Sequence, residues 1–106
     1  MNGIYLRFYT HENRRHHQSL LYEWLLEQAK KLGIHGGSAF RAIAGYGRHG
    51  VMHEQHFFEL ADDLPIEVEF LTSAEQGEKL LELIRREKLQ IVYAKVAAEI
   101  GMTCAG

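Results

Sequence analysis

The 106-residue chain combines 46% hydrophobic with 25% charged residues, which predicts one ordered globular domain over residues 1–106. Its 12 basic and 14 acidic residues give a formal charge of −2, so it lacks the strong positive field that nucleic-acid binding requires. Cys104 is the single cysteine, which excludes an intrachain disulfide and a metal site made of several thiolates.

The first predicted element is a strand over residues 3–9, in which the residue types alternate with a period of two. One face carries Ile4, Leu6 and Phe8, and the other carries Tyr5, Arg7 and Tyr9. No basic region followed by an apolar stretch precedes this strand, and no segment reaches the roughly 18 apolar residues of a membrane span. We therefore expect a cytoplasmic protein without membrane insertion.

A polar stretch over residues 10–17 leads to a predicted helix. From Leu21 to Leu32, apolar residues recur three and four positions apart. Gly33 is suited to the left-handed conformation that ends a helix. A glycine-rich turn over residues 36–38 then precedes a second predicted strand over residues 39–44, and a long loop over residues 45–58 follows.

The second half repeats the order of strand, helix and strand. Residues 66–70 alternate cleanly, and Pro65 at the start of this strand removes no ladder hydrogen bond. Thr72 or Ser73 caps the next helix, and residues 90–96 form the last strand before an irregular tail. The buried stripe of that helix is predicted to be Gly77, Leu80, Leu81 and Ile84.

The predicted order is βαββαβ, which gives an α+β, ferredoxin-like fold with an antiparallel sheet and two helices on one face. The other face of the sheet has no cover from the chain itself. It would carry Tyr5, Arg7 and Tyr9 beside Glu67 and Glu69. Contact between copies of the chain is the preferred interpretation of this face, and an ordinary solvated sheet face is the alternative.

Three stretches resemble a bacterial and archaeal PII-like family of unknown function, which is distantly similar to nitrogen-regulatory PII proteins and CutA-type proteins. They are residues 20–23, 36–47 and 60–66. The resemblance implies a ferredoxin-like fold, a homotrimer with the sheets facing inward, and no catalytic residues.

The resemblance also implies a mode of action. In PII proteins an adenine nucleotide lies in a cleft between subunits, and the loop that corresponds to residues 45–58 contacts a partner protein. Members of the similar family are often encoded near fluoride exporters, which implies an ion transporter as the partner. This sequence departs from PII proteins at residues 86–90, which replace a glycine-rich phosphate-binding loop.

The start of the long loop has the ingredients of an anion site. Two glycines offer accessible backbone N–H groups, and an arginine offers a planar guanidinium. The candidate ligand-binding residues are Arg41, Gly45, Tyr46, Gly47, Arg48 and His49. The alternative is a simple bend, with Arg41 paired to Glu67 or Glu69.

Two groups of histidines are candidates for metal binding, because neutral imidazole suits zinc, copper and nickel. His53 and His56 lie in the long loop close to His49, Glu54 and Glu59. The second group is His11, Glu12, His16 and His17, in which Glu12 and His16 share a helix face if the first helix starts early. Solvated polar loop residues are the alternative for both groups.

Three functions therefore remain open from the sequence. The first is a sensory or regulatory homotrimer that binds a small anionic ligand, such as an adenine nucleotide, between its subunits and signals through the loop. The second is a CutA-like protein that binds a divalent metal through histidines. The third is an oligomeric scaffold with no small-molecule ligand.

Overall fold

The computed structural model describes residues 1–45 and 63–104. Its elements are β1 (Asn2–His11), β2 (Arg15–His16), β3 (Ser19–Leu20), α1 (Leu21–Lys31), β4 (Gly37–Arg41), β5 (Pro65–Thr72), α2 (Ala74–Arg86) and β6 (Val92–Glu99). Four strands form an antiparallel sheet in the order β4-β5-β1-β6. Strands β2 and β3 form a separate two-stranded ribbon. The large elements follow the predicted ferredoxin-like βαββαβ order.

The hydrophobic core lies between the sheet and both helices. Alternate residues of β1 and β5 point toward the helices, and Leu6, Phe8 and Val68 are fully buried there. Helices α1 and α2 bury their apolar stripes in the same cluster, so they cover one face of the sheet. The buried stripe of α2 consists of Gly77, Leu80, Leu81 and Ile84, as predicted.

Local signals explain where the helices begin and end. Ser73 is the cap of α2, since its hydroxyl accepts a hydrogen bond from the backbone N–H of Gln76 at 3.1 Å. Gly33 follows α1 with a φ of +90°, as its position predicted. Gly77 lets α2 approach β1 closely, because a Cβ atom there would lie 2.3 Å from Ile4 Cδ1.

Strand β4 differs from the prediction at both ends. It begins at Gly37 and ends at Arg41, whereas residues 39–44 were expected. Gly37 pairs with Phe70, and a Cβ atom at Gly37 would lie only 2.4 Å from the Phe70 ring. The glycine therefore serves a close approach inside the strand rather than a turn. Strand β6 is also displaced toward the C-terminus of its predicted range of 90–96.

The β2–β3 ribbon was not predicted, and it changes the interpretation of the first histidine group. Helix α1 begins only at Leu21, so the early start that would place Glu12 and His16 on one helix face does not occur. The ribbon reverses direction at His17, which has a φ of +56°. Non-glycine residues seldom adopt this conformation, so residue type gave little warning of the turn.

Within the described residues, no helix covers the second face of the sheet, which we call the uncovered face. The strand registers place Tyr5, Arg7 and Tyr9 on it, next to Glu67 and Glu69 of β5, as predicted. Large apolar side chains accompany them: Phe40 is 53% exposed, Leu71 54% and Val96 52%. None of the helices within residues 1–45 and 63–104 is long and apolar enough to span a membrane.

Candidate functional site

Arg7 lies at the centre of the polar groups on the uncovered face. It stands on β1 directly opposite Glu69 of β5, and Tyr9 stands opposite Glu67. The Arg7 guanidinium contacts both carboxylates, with Nη1 3.2 Å from Glu67 Oε1 and Nη2 3.4 Å from Glu69 Oε2. Its Nε also donates to the Tyr5 hydroxyl at 2.9 Å. A single cation thus holds two carboxylates and one phenol together.

The Tyr5 hydroxyl completes this network by donating to Glu69. This hydrogen bond, together with burial, raises the pKa of Tyr5, because a phenolate beside a carboxylate is unfavourable. The Arg7 guanidinium also lies 5.1 Å from the centre of the Tyr5 ring, where the cation and the π-electrons attract. The polar groups of the face therefore satisfy one another, and apolar side chains surround them.

Arg41 occupies a different position from the one that the sequence indicated. Its register partner is Ile66, so its side chain leaves the sheet on the helix side, away from Glu67 and Glu69. The guanidinium instead donates through Nη2 to the Glu12 carboxylate just after β1. The alternative interpretation, in which Arg41 pairs with Glu67 or Glu69, is therefore wrong.

The two described segments that flank residues 46–62 come together at one end of the sheet. Strand β4 ends at Arg41, and β5 begins beside it at Pro65, whose carbonyl accepts from Ala42 N at 2.8 Å. Asp63 binds the end of β1, since its Oδ1 lies 3.0 Å from His11 Nδ1 and accepts from Asn13 N at 2.9 Å. We call Arg41, Glu12, His11 and Asp63 the loop-base cluster.

Most of the residues predicted for the anion site lie outside the described part of the chain. Arg41 and Gly45 are placed at this end of the sheet. Four other candidates, Tyr46, Gly47, Arg48 and His49, lie outside the described residues, as do the candidate metal ligands His53 and His56. The assignment of these residues to a ligand or a metal stays a prediction.

A second group of chemically active side chains joins the β2–β3 ribbon to the end of α2. Glu87 Oε1 lies 2.8 Å from His16 Nε2 and 3.0 Å from His17 Nε2. The hydrogen bond with His16 is the largest cause of a lowered pKa of Glu87, and the one with His17 is the second. Both stabilise the ionised form of the carboxylate. Within residues 1–45 and 63–104, this is the one group of three histidine or carboxylate ligands close enough to share a metal ion.

The sequence pointed to the two histidines but missed their carboxylate partner. Glu87 lies 71 positions after His16 and 70 after His17, so no spacing rule connects them. One signal was available, since Glu87 caps the C-terminal end of α2, where the helix dipole disfavours an acidic side chain. A carboxylate at that position indicates a compensating partner elsewhere in the fold.

Comparison with known proteins identifies the family. The model of the family DUF190, described as Uncharacterized ACR, matches residues 3–95. The chain belongs to the DUF190 family. A UPF0166 protein of Aquifex aeolicus (strain VF5) is 34% identical over 96 residues, which cover 83% of this DUF190 chain and 91% of the relative. The UPF0166 protein of Methanocaldococcus jannaschii is 31% identical over 91 residues, covering 82% and 83% of the two chains.

Solved structures similar to this DUF190 chain are PII-like proteins. The PII-like protein CPII of Thiomonas intermedia K12, bound to ADP, AMP and bicarbonate, superimposes with a TM-score of 0.68 at 19% identity. That match covers 96% of this chain and 91% of CPII. A PII-like signaling protein of Thermus thermophilus gives a TM-score of 0.55 at 18% identity, covering 92% and 89%. The resemblance to a PII-like family and the ferredoxin-like fold are thus confirmed.

Proposed function

We propose that this chain is a PII-like sensory protein that assembles as a homotrimer and binds an adenine nucleotide or a similar small anion in clefts between its subunits. Ligand binding would order residues 45–58 and so change the docking of a partner protein, such as an ion transporter. The proposal contains no catalytic step. The observation that carries it is the match of nearly the whole chain to CPII, a protein solved with ADP, AMP and bicarbonate.

The uncovered sheet face supports the proposed assembly. Phe40, Leu71 and Val96 come from β4, β5 and β6, and each is about half exposed, so three of the four strands present a large apolar side chain on this face. Exposed apolar side chains grouped on one face favour contact with another protein surface. The Arg7 network lies within the same face, and each of its two carboxylates contacts the guanidinium, which lowers the cost of burying them.

The loop-base cluster supports the proposed ligand position. Arg41 donates a hydrogen bond to Glu12 through Nη2. A guanidinium has five N–H donors in a fixed plane, so it can bind more than one acceptor group. Such a group recognises phosphate and carboxylate oxygens in a bidentate manner. The described residues on both sides of the segment 46–62 lie at the same end of the sheet as Arg41, so an anion held at Arg41 would lie near both ends of that segment.

The end of α2 argues against a phosphate position in the PII manner. Residues 86–90 replace the glycine-rich loop of PII proteins, and they include the Glu87 carboxylate. These residues contain no glycine that would let backbone N–H groups approach a phosphate closely, and Glu87 already binds His16 and His17. We therefore place the anionic part of the ligand at Arg41 and Gly45, and not at the end of α2.

A thermal-shift titration tests this proposal. We expect ADP or AMP, with and without bicarbonate, to raise the melting temperature of the full-length protein, because a ligand that binds only the folded state stabilises it. Arg41→Ala should weaken nucleotide binding roughly ten- to a hundredfold, the usual effect of losing a hydrogen bond to a charged group. Calorimetric titration with the same nucleotides measures that factor.

Two control variants separate the role of the guanidinium from general effects. Arg85→Ala removes an arginine that is equally exposed and also paired, since Arg85 and Arg41 are 54% and 58% exposed. Glu12→Gln removes the carboxylate partner but keeps Arg41. Arg85→Ala should bind nucleotide as the wild type does. Glu12→Gln should bind it at least as tightly, because the carboxylate that it neutralises competes with an anion for Arg41. A flat thermal response to every nucleotide, or equal affinity in Arg41→Ala, would contradict the proposal.

A further inference from the structure

We propose that His16, His17 and Glu87 bind one divalent transition-metal ion, such as Zn²⁺, and that this ion joins the β2–β3 ribbon to the end of α2. This site is separate from the anion site at Arg41 and from the loop residues His53 and His56. The inference does not depend on the proposed nucleotide binding.

The three ligand atoms already converge on one point. Glu87 Oε1 lies 2.8 Å from His16 Nε2 and 3.0 Å from His17 Nε2, and all three atoms lie within 4.8 Å of one another. Ligands of a tetrahedral zinc ion with bonds of about 2.0–2.1 Å are roughly 3.3 Å apart. Small side-chain movements would therefore admit an ion between them. In its absence, each imidazole that is protonated at Nε2 donates to the carboxylate.

The types of ligand select the class of metal. Two imidazoles and one carboxylate form a set found in zinc enzymes, which leaves a fourth position for water or another ligand. Imidazole also suits copper and nickel, whereas magnesium and calcium prefer oxygen ligands. The set therefore favours a transition-metal ion over Mg²⁺.

The fold holds two of these ligands in place. The His16 side chain is only 13% exposed, and its ring lies edge-on to Trp24 with the ring centres 4.7 Å apart. Glu87 stands at the cap of α2, and the next two residues complete a helix-ending motif, with Lys88 N donating to Arg85 O and Leu89 N to Ile84 O. The backbone that carries the Glu87 side chain is thus fixed by hydrogen bonds.

Two unfavourable local features meet at this cluster. Glu87 places a negative charge at the negative end of the dipole of α2. His17 adopts a φ of +56°, which places its ring 4.0 Å from that of His16. Departures from local preference are expected where side chains are held for a function. Binding of a cation by the three side chains accounts for both departures together.

Zinc titration of the full-length protein tests the inference. After treatment with EDTA and removal of the chelator, the protein is titrated with Zn²⁺ by calorimetry, and with Mg²⁺ as the reference ion. We expect one Zn²⁺ per chain, a rise in melting temperature with Zn²⁺, and neither effect with Mg²⁺. Absence of zinc binding in the wild type overturns the proposal.

Variants locate the bound ion. His17→Asn keeps a residue that tolerates the left-handed conformation and removes the imidazole, and Glu87→Gln removes the charge at nearly constant shape. Each should weaken zinc binding at least about tenfold, since loss of supporting groups around a metal already costs that much. His16 is left unchanged, because its ring also packs against Trp24.

Two further variants serve as controls. His35→Asn changes an exposed histidine elsewhere in the described chain, and the double variant His53→Ala/His56→Ala removes the loop histidines. Both should bind zinc as the wild type does. Wild-type affinity in His17→Asn and Glu87→Gln would overturn the proposal, and so would loss of binding in the loop double variant.

Discussion

At the scale of single residues, the polar groups of the uncovered face form pairs that their strand positions made predictable. A period of two places Tyr5, Arg7, Glu67 and Glu69 on one side of the sheet, and the register brings Arg7 opposite Glu69. The same rule explains why Arg41 does not reach these carboxylates, since its partner Ile66 lies on the helix side. The sequence did not reveal the register of β4, which decides the side of the sheet that Arg41 faces.

The Tyr5 network predicts an unusual titration. The hydrogen bond to Glu69 and burial raise the pKa of Tyr5 above its ordinary value of 10.0. The folded state thus holds the phenol proton more firmly than the unfolded state. The resulting stabilisation is present below the ordinary pKa and is lost as the pH rises through the higher folded-state value.

Phenolate absorbance, measured against Tyr5→Phe as a function of pH, isolates the titration of Tyr5. Its midpoint should lie above 10.0. Glu69→Gln should move the midpoint down, because it removes the largest cause of the shift. A Tyr5 midpoint at or below its ordinary value in the wild type would count against the network.

At the scale of elements, periodicity predicted most of the fold. The predicted strands over residues 3–9 and 66–70 lie inside β1 and β5, because one buried face imposes strict alternation. The β2–β3 ribbon escaped prediction, because strands of two residues show no period and its turn uses His17 rather than glycine or asparagine. The role of Glu87 was not predicted either, because it depends on the contact between α2 and the ribbon, which exists only in the folded chain.

The cap of α2 carries a prediction about stability. Ser73→Ala removes the hydroxyl that accepts from Gln76 N, which should lower the free energy of unfolding by about 1 kcal/mol. Ser73→Asp retains an acceptor and places a negative charge at the positive end of the helix dipole, so it should unfold at or above the wild-type denaturant concentration. Urea unfolding followed by circular dichroism measures both. Equal stability of Ser73→Ala and the wild type would show that the cap contributes nothing.

At the scale of the whole molecule, both helices cover the same face of the sheet, and no described element covers the other face. The strands β4, β5 and β6 place Phe40, Leu71 and Val96 on that side, together with the Arg7 network. The intersubunit clefts proposed for the ligand exist only if copies of the chain meet there. Assembly is therefore the claim on which the proposed nucleotide site depends.

Leu71→Glu places a charge in the apolar part of that face and should shift the protein toward single chains, because an unpaired charge is costly to bury. Met102→Glu is the matched control, since Met102 is a more exposed apolar residue outside the sheet, and it should leave assembly unchanged.

Native mass spectrometry of the wild type and both variants measures assembly directly. We expect three chains for the wild type and for Met102→Glu, and mainly single chains for Leu71→Glu. A wild-type protein that stays folded as a monomer, with its sheet open to water, would overturn the proposed assembly.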